Sequence, residues 1–201
     1  NRLHRSRYDQ QMVLRDVVVV GAGPAGLATA IAASKSGLSC QVIEKGDEYV
    51  FAGVWRCPGL GGVDIIQASS DDRSYAAFGR DGTSHCAFRK TFGPLNTALS
   101  PVEWRLRDGK PFAAIERWSV FKDKAGNPYT WLVITALRPA DSCPVHYVAG
   151  SFPAANQQAR DMADRLAEGF DCEAGVPTYD STIGPPPIEL LSCAAVKQQG
   201  Q

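Results

Sequence analysis

The N-terminal part of the chain contains two short apolar runs separated by a stretch with helical spacing. The runs are 16–20, which is rich in β-branched valine, and 40–44. Short runs of this composition predict buried parallel strands. Between them, Leu27 and Ile31 lie four residues apart, and Pro24 suits the first turn of a helix. The pattern therefore predicts a strand–helix–strand unit with a right-handed crossover.

The middle of the chain predicts an antiparallel sheet instead. Its apolar runs are bounded by turn residues such as Asp108-Gly109 and the polar stretch 123–127. Short turns favour antiparallel pairing, because a parallel pair needs a long crossover. The predicted strands are 102–107, 111–121, 129–137 and 145–149.

The clearest helix pattern lies at 153–168, followed by the helix stop Gly169. One face of this helix carries apolar residues at helical spacing, namely Ala155, Ala159, Met162, Ala163 and Leu166. Beyond Cys172 the sequence is rich in Gly, Pro and Gln, which is typical of a disordered tail.

These elements predict an α/β Rossmann-like βαβ unit followed by an α+β segment with an antiparallel meander and one C-terminal helix. The glycine-rich stretch 52–62 is predicted to be loop. We therefore expect three parts: a partial dinucleotide-binding unit at 1–50, an antiparallel α+β domain at 51–175, and a disordered tail at 176–201.

Composition and charge do not favour nucleic acid, membranes or metals as partners of this chain. The 201 residues include 21 basic and 21 acidic side chains, so the formal net charge is zero. This balance gives no reason to expect nucleic acid or an anionic membrane as a partner. No apolar stretch reaches the roughly 18–20 residues that cross a bilayer. Three histidines and two methionines offer little material for a transition-metal site, and no metal is expected.

The loop after the first predicted strand is a complete GxGxxG, Gly21-Ala22-Gly23-Pro24-Ala25-Gly26. Gly21 permits a tight turn, Gly23 lets the backbone approach a pyrophosphate, and Gly26 allows the helix to pack closely on the strand. The helix N-terminus offers free N–H groups to phosphates. Glu44 ends the second predicted strand, where a carboxylate holds a ribose hydroxyl. A glycine-rich helix start without a ligand is one alternative. An export signal is another, since Arg15 precedes the apolar run.

Residues 17–46 resemble the N-terminal βαβ unit of FAD-dependent pyridine-nucleotide disulfide oxidoreductases. The resemblance rests on the Gly-Pro-Ala-Gly form of the loop and on the ending Glu44-Lys45-Gly46, which are typical of flavin use. It implies FAD as the cofactor, with the three glycines at its pyrophosphate and Glu44 at its adenosine ribose. The cofactor-binding set is Gly21, Ala22, Gly23, Pro24, Ala25, Gly26, Glu44 and Lys45.

The rest of the chain departs from that family. The family has a late glycine–aspartate motif near the flavin, and the nearest counterpart here, 147–151, has no aspartate. The chain has no CxxC or CxxxxC redox pair and no second GxGxxG for a nicotinamide cofactor. An intact disulfide reductase is thereby excluded, and no catalytic residue is assigned.

Residues 55–172 resemble an uncharacterised family of exported alphaproteobacterial proteins. The resemblance is carried by Trp55-Arg56-Cys57-Pro58-Gly59, Glu103-Trp104-Arg105, Pro111-Phe112-Ala113 and the stretch 154–172. It implies an exported domain but no activity. Members of this family do not normally begin with a flavin loop, so the chain is expected to be chimeric.

The pairing of the six cysteines would indicate whether the protein belongs to an oxidising or a reducing cellular compartment. Cys57 and Cys86 are separated by the same interval as Cys143 and Cys172, and this spacing suits two local disulfides. Such pairing indicates an oxidising compartment, periplasmic or extracellular. Six unpaired thiols in a reducing cytosol are the alternative, and that location agrees better with a flavin enzyme.

The second segment offers few candidates for catalysis. Cys143 and His146 lie three apart on a predicted strand, which places them on opposite faces and argues against a nucleophile–base pair. Glu103 and Glu116 are expected on solvated strand faces. The tryptophans are expected in the core or half-buried; they are Trp55, Trp104, Trp118 and Trp131.

The sequence supports two functional hypotheses. The first is an FAD-binding oxidoreductase-type fragment or fusion that transfers electrons through bound flavin. The second is a non-enzymatic, disulfide-stabilised exported domain. The glycine loop favours the first, whereas the cysteine spacing and the longer resemblance favour the second.

Overall fold

The structure is a computed structural model that describes residues 17–20, 29, 31–32, 35–36, 40–43, 53–121 and 128–199. The chain divides into two compact units, Asn1–Glu48 and Tyr49–Gln201.

The N-terminal unit contains two parallel strands, β1 (Val17–Val20) and β2 (Cys40–Ile43). Their register runs from Val17 opposite Cys40 to Val20 opposite Ile43. Between the strands, positions 29, 31–32 and 35 are helical, and the Ser36 N–H donates to the Ala32 carbonyl at 3.1 Å. Two parallel strands with helical residues between them agree with the predicted order of elements. Ile31, which the helical spacing places with Leu27 on an apolar face, is 55% exposed.

The second unit begins with a three-stranded antiparallel sheet in the order β3-β4-β5, which the sequence pattern did not predict. Its strands are β3 (Gly53–Cys57), β4 (Ile65–Ser70) and β5 (Arg73–Phe78). Asp71 and Asp72 join β4 to β5, and both have positive φ angles of 53° and 54°. A two-residue turn of this kind matches the twist of a hairpin. The prediction of a loop at 52–62 is therefore wrong for residues 53–57, because these residues form β3 and pair with β4.

A five-stranded sheet in the order β6-β7-β8-β9-β10 forms the centre of the unit. Its strands are β6 (Asn96–Arg107), β7 (Lys110–Val120), β8 (Tyr129–Leu137), β9 (Ser142–Ala149) and β10 (Thr178–Asp180). The first four strands pair antiparallel, which confirms the predicted meander, and β10 pairs parallel to β9. Asp108-Gly109 forms the β6–β7 turn with φ angles of 49° and 75°.

Helix α1 (Ala155–Leu166) covers one face of the five-stranded sheet and confirms the predicted helix within two residues at each end. Its small residues Ala159 and Ala163 allow close packing on Ile134 and Val148, and all four are fully buried. Two bidentate ion pairs tie the helix to the edge strand β6. Arg105 bonds Asp164 at 3.0 and 2.6 Å, and Arg160 bonds Glu103 at 2.7 and 3.0 Å.

An aromatic cluster covers the opposite face of the sheet. Phe92, Trp118, Trp131 and Tyr147 pack together there, and Ala76 of β5 belongs to the same cluster. Because both faces are covered, every residue of β9 is buried, and the strand does not alternate between polar and apolar positions.

The C-terminal part differs from the expectation of a disordered tail. Residues 178–180 form β10, and Cys193–Gln199 form a second helix, α2. Tertiary contacts override the Gly- and Pro-rich composition here, because Cys193 is bonded to Cys86 and buried.

The disulfides follow one of the two expected pairings. Cys143 is joined to Cys172, as the spacing suggests. The pairing of Cys57 with Cys86 is wrong: Cys86 is joined to Cys193, and Cys57 is exposed and free. Sequence spacing could not reveal this bond, since its partners are 107 residues apart and meet only when the tail packs on the sheet.

Candidate functional site

The predicted dinucleotide loop follows β1 directly. Residues 21–26 and the acidic partner Glu44, with Lys45, lie outside the described residues. The two strands that precede them are described, and they run parallel with Val20 opposite Ile43. In a parallel pair the carboxyl ends of both strands meet at one sheet edge, the usual place for ligands of open α/β sheets. In the sequence, Gly21 is the residue that follows the first strand and Glu44 is the residue that follows the second.

A second candidate site is a buried polar cluster around Glu116 on β7. Glu116 is 2% exposed and accepts two hydrogen bonds, from Gln67 Nε2 and from Trp118 Nε1, each at 3.0 Å. Burial raises the pKa of its carboxyl to about 7, and the two donors oppose that rise only in part. The sequence-based placement of Glu116 on a solvated face is therefore wrong, because the aromatic cluster covers that face.

Glu116 lines a small cavity of about 20 Å³ in the aromatic cluster, together with Lys90, Thr135 and Tyr147. This volume has room for about one water molecule. The Tyr147 hydroxyl is buried and has no hydrogen-bond partner within the described residues. Burial also raises the pKa of this phenol. The cavity therefore combines a carboxyl group and a phenol that lacks a partner in the described part of the chain.

Lys90 lies between this cavity and the protein surface. It also lines an outer cleft of about 380 Å³, whose walls are Arg89, Lys90, Thr91 and Gly93 on one side and Pro187, Ile188, Glu189, Leu191 and Val196 on the other. We call this space the Lys90 cleft. Lys90 is 8% exposed, and its ammonium donates to the Leu191 carbonyl. Burial lowers the pKa of Lys90 to about 8.

The C-terminal segment forms one wall of the Lys90 cleft and is held at several points. The Gly93 N–H donates to the Pro187 carbonyl at 2.8 Å. The disulfide from Cys86 to Cys193 fixes the far end of the segment. Ile188 packs against the aromatic cluster and lines the inner cavity as well as the cleft.

His146 belongs to a third polar group, on the α1 face of the sheet. Its Nδ1 lies 2.7 Å from Thr178 Oγ1 and its Nε2 lies 3.2 Å from Asp180 Oδ2, so it links β9 to β10. Burial lowers the pKa of His146, although Asp180 opposes that change. The group is explained by strand pairing and contributes no assigned chemistry.

The expectation that Cys143 and His146 lie on opposite faces is wrong. The register shifts at Ile134–Thr135, so Cys143 pairs with Ala136 and His146 with Ile134, on the same face. One extra residue in a strand reverses the alternation beyond it. The absence of a nucleophile–base pair follows from another cause, since Cys143 is in a disulfide.

The stretch 147–151 does not form a cofactor loop. Tyr147, Val148 and Ala149 end the buried strand β9, and the Gly150 N–H donates to the Thr130 carbonyl at 2.7 Å. Sequence reasoning did not identify Lys90, Gln67 or Tyr147. No local signal marks them, because three separate segments bring them together.

In the part of the chain that the structure describes, no group of three histidine, cysteine or acidic side chains could hold a metal ion. Within the same residues, no helix is both long enough and apolar enough to cross a membrane.

Comparison with known proteins links the first candidate site to a cofactor. Residues 16–86 match the model of a family described as "FAD binding domain". No curated protein and no solved structure matches the chain significantly. The match covers β1, β2 and the glycine loop, and it extends through the three-stranded sheet to Cys86. It supports FAD as the cofactor of this chain.

Proposed function

We propose that the chain binds FAD through the loop 21–26 and Glu44 and that the bound flavin serves electron transfer, as in an oxidoreductase fragment or fusion. The observation that carries this proposal is the FAD-binding match over 16–86, whose glycine motif directly follows β1 of a parallel strand pair. A bound flavin supplies one- and two-electron transfer.

The residues of the loop have distinct roles in this proposal. Gly23 leaves space for the pyrophosphate at the backbone, and the N–H groups of the helix start bind its oxygens. The Glu44 carboxylate accepts hydrogen bonds from the adenosine ribose hydroxyls. These contacts bind the ADP half of the cofactor, so they determine affinity and leave the reactivity of the flavin ring to other residues.

Flavin binding is tested first with the full-length chain purified without added flavin. We expect a yellow protein whose released cofactor is FAD by chromatography, or an apoprotein that binds added FAD in calorimetry. Gly23→Val should abolish binding by crowding the pyrophosphate. Gly169→Val is the matched control, because a Cβ at Gly169 would meet no atom within 4 Å. Unchanged FAD affinity in Gly23→Val would overturn the assignment.

The ribose contact is tested separately with Glu44→Gln. A hydrogen bond to a charged group contributes about 1.5–3 kcal/mol, so we expect FAD affinity to fall roughly 10- to 100-fold. Glu189→Gln, at an exposed position, controls for the loss of one negative charge. If the two variants bound FAD with equal affinity, Glu44 would not be part of the binding site.

Electron transfer requires its own experiment. The FAD-loaded chain is reduced with dithionite without oxygen, and its reoxidation by a quinone or by cytochrome c is followed by absorbance. If the bound flavin serves electron transfer, one acceptor should react faster with the complex than with free reduced FAD. Rates equal to those of free FAD for every acceptor would refute the oxidoreductase part and leave flavin binding intact.

A non-enzymatic exported domain is the second candidate function, and the two disulfides of Tyr49–Gln201 favour it. Among the described side chains, Cys86, Cys193, Cys143 and Cys172 are bonded and Cys57 is free, so at most two of the six cysteines should react in denaturant before reduction when the protein is made in an oxidising compartment. One or two reactive thiols together with failure to bind FAD would favour this alternative. Six reactive thiols in protein from an oxidising compartment would refute it.

A further inference from the structure

We propose that the Lys90 cleft binds a small monocarboxylate with an apolar body, and that the Lys90 ammonium is its anchor. The residues that line the cleft do not include any of the proposed flavin loop, and Arg89–Gly93 lie beyond the residues that match the FAD-binding family. This inference therefore does not depend on flavin binding.

The first argument is the state of Lys90. Lysine is almost never buried without a partner of opposite charge, because desolvation penalises its ammonium. Within the described residues, the ammonium of Lys90 has one acceptor, the Leu191 carbonyl, and forms no ion pair with a carboxylate. Glu116 lines the same inner cavity but bonds Gln67 and Trp118 instead. An anion in the cleft would supply the missing charge.

The second argument is the lining of the cleft. Its volume of about 380 Å³ falls within the range of small-molecule sites, which is roughly 300–1,000 Å³. The C-terminal wall is mostly apolar, with Pro187, Ile188, Leu191 and Val196. Arg89 adds a second cation on the opposite wall. An apolar wall facing two cations fits a ligand with one charged end and a hydrocarbon or aromatic body.

The charge balance narrows the ligand to a monoanion. The cleft is lined by two cations and one acidic residue, Glu189, so its net charge is a single positive one. A phosphate dianion would be repelled by Glu189 and would gain nothing from the apolar wall. The small cavity behind Lys90 has room for about one water, so the body of the ligand must lie in the outer cleft.

Binding is measured by calorimetry on the full-length chain, with hexanoate and benzoate as probes and hexan-1-ol and benzyl alcohol as neutral counterparts. We expect each carboxylate to bind at least about tenfold more tightly than its alcohol, since a charged hydrogen bond contributes at least this much. Equal affinities within a pair, or no carboxylate binding at about 10 mM, a very weak affinity, would overturn the proposal.

The anchor is tested with Lys90→Met, which keeps an unbranched side chain one heavy atom shorter and removes its charge. Carboxylate affinity should fall at least about tenfold. Lys110→Met, at an exposed hairpin position, should bind as the unaltered chain does. Unchanged affinity in Lys90→Met would refute the role of Lys90.

A spectroscopic measurement covers the case in which Lys90→Met does not fold. In the unaltered chain with ¹³C-labelled lysine, hexanoate should shift the Cε resonance of Lys90 and leave that of Lys110 in place. Hexan-1-ol should not cause this shift. A Lys90 resonance that stays fixed while hexanoate saturates the protein would overturn the proposal.

Discussion

Glu116→Gln should remove a pH dependence that the buried carboxyl gives to the stability of the second unit. The carboxyl has a pKa of about 7 in the folded chain and an ordinary value of 4.5 when unfolded. The folded state therefore binds more protons than the unfolded state between these pH values. The stabilisation that the Glu116 carboxyl contributes is complete below pH 4.5 and is lost as the pH rises to 7.

The size of the effect follows from these two pKa values. Between pH 5 and pH 8, proton linkage at Glu116 should lower the free energy of unfolding by about 2.5 kcal/mol. Other titrating groups act equally in both proteins. The difference between the unaltered chain and Glu116→Gln isolates this contribution. Replacing the carboxyl also changes its bonds to Gln67 and Trp118, but that change does not depend on pH in this range.

Urea unfolding at pH 5 and at pH 8, followed by tryptophan fluorescence, measures the effect. All four tryptophans lie in Tyr49–Gln201, so the signal reports on this unit. Glu189→Gln, at an exposed position, should keep the pH dependence of the unaltered chain. If Glu116→Gln kept it as well, to within about 0.5 kcal/mol, the carboxyl would not be buried in the way described.

Two further predictions concern the stability of the same unit, measured by urea unfolding. Replacing both Cys143 and Cys172 by serine should cost about 3–4 kcal/mol, and the same change at Cys86 and Cys193 about 5 kcal/mol, because the second bond closes a longer loop. The reverse order would show that loop entropy does not dominate. Gly150→Ala should destabilise the unit by more than about 2 kcal/mol, because its Cβ would lie 1.8 Å from Thr130 Oγ1. The Cβ of Gly169→Ala would meet no atom within 4 Å, so this variant should change the stability by less than about 1 kcal/mol. Similar losses for both alanine variants would contradict the packing at Gly150.

The central meander and α1 were predicted from the sequence because their signals are local. Asp108-Gly109 adopts the positive φ angles of a two-residue hairpin turn, and the segments that it joins, 102–107 and 111–121, carry apolar strand-forming residues. The spacing of Ala155, Ala159 and Ala163 identifies the buried face of α1 without knowledge of its partner. Such signals act between residues that are near one another in the chain.

The three-stranded sheet was missed for a related reason. Asp71 and Asp72 form a tight hairpin turn, but two aspartates beside two serines also have the composition of a polar loop. Whether this segment forms a hairpin or a loop depends on the pairing of β4 with β3 and on the packing of Ala76 and Phe78 against the rest of the unit. Neither interaction is visible in the local pattern.

By itself, the sequence determined the strand order of the meander, the helix that covers it and the glycine motif at which FAD binding is proposed. Tertiary structure alone decided the bond between Cys86 and Cys193, the burial of Glu116 and the place of Lys90 beside the C-terminal segment. The physical reason is distance along the chain. Turn geometry and helical spacing depend on neighbouring residues, whereas the environment of a buried charge depends on segments that meet only in the folded protein.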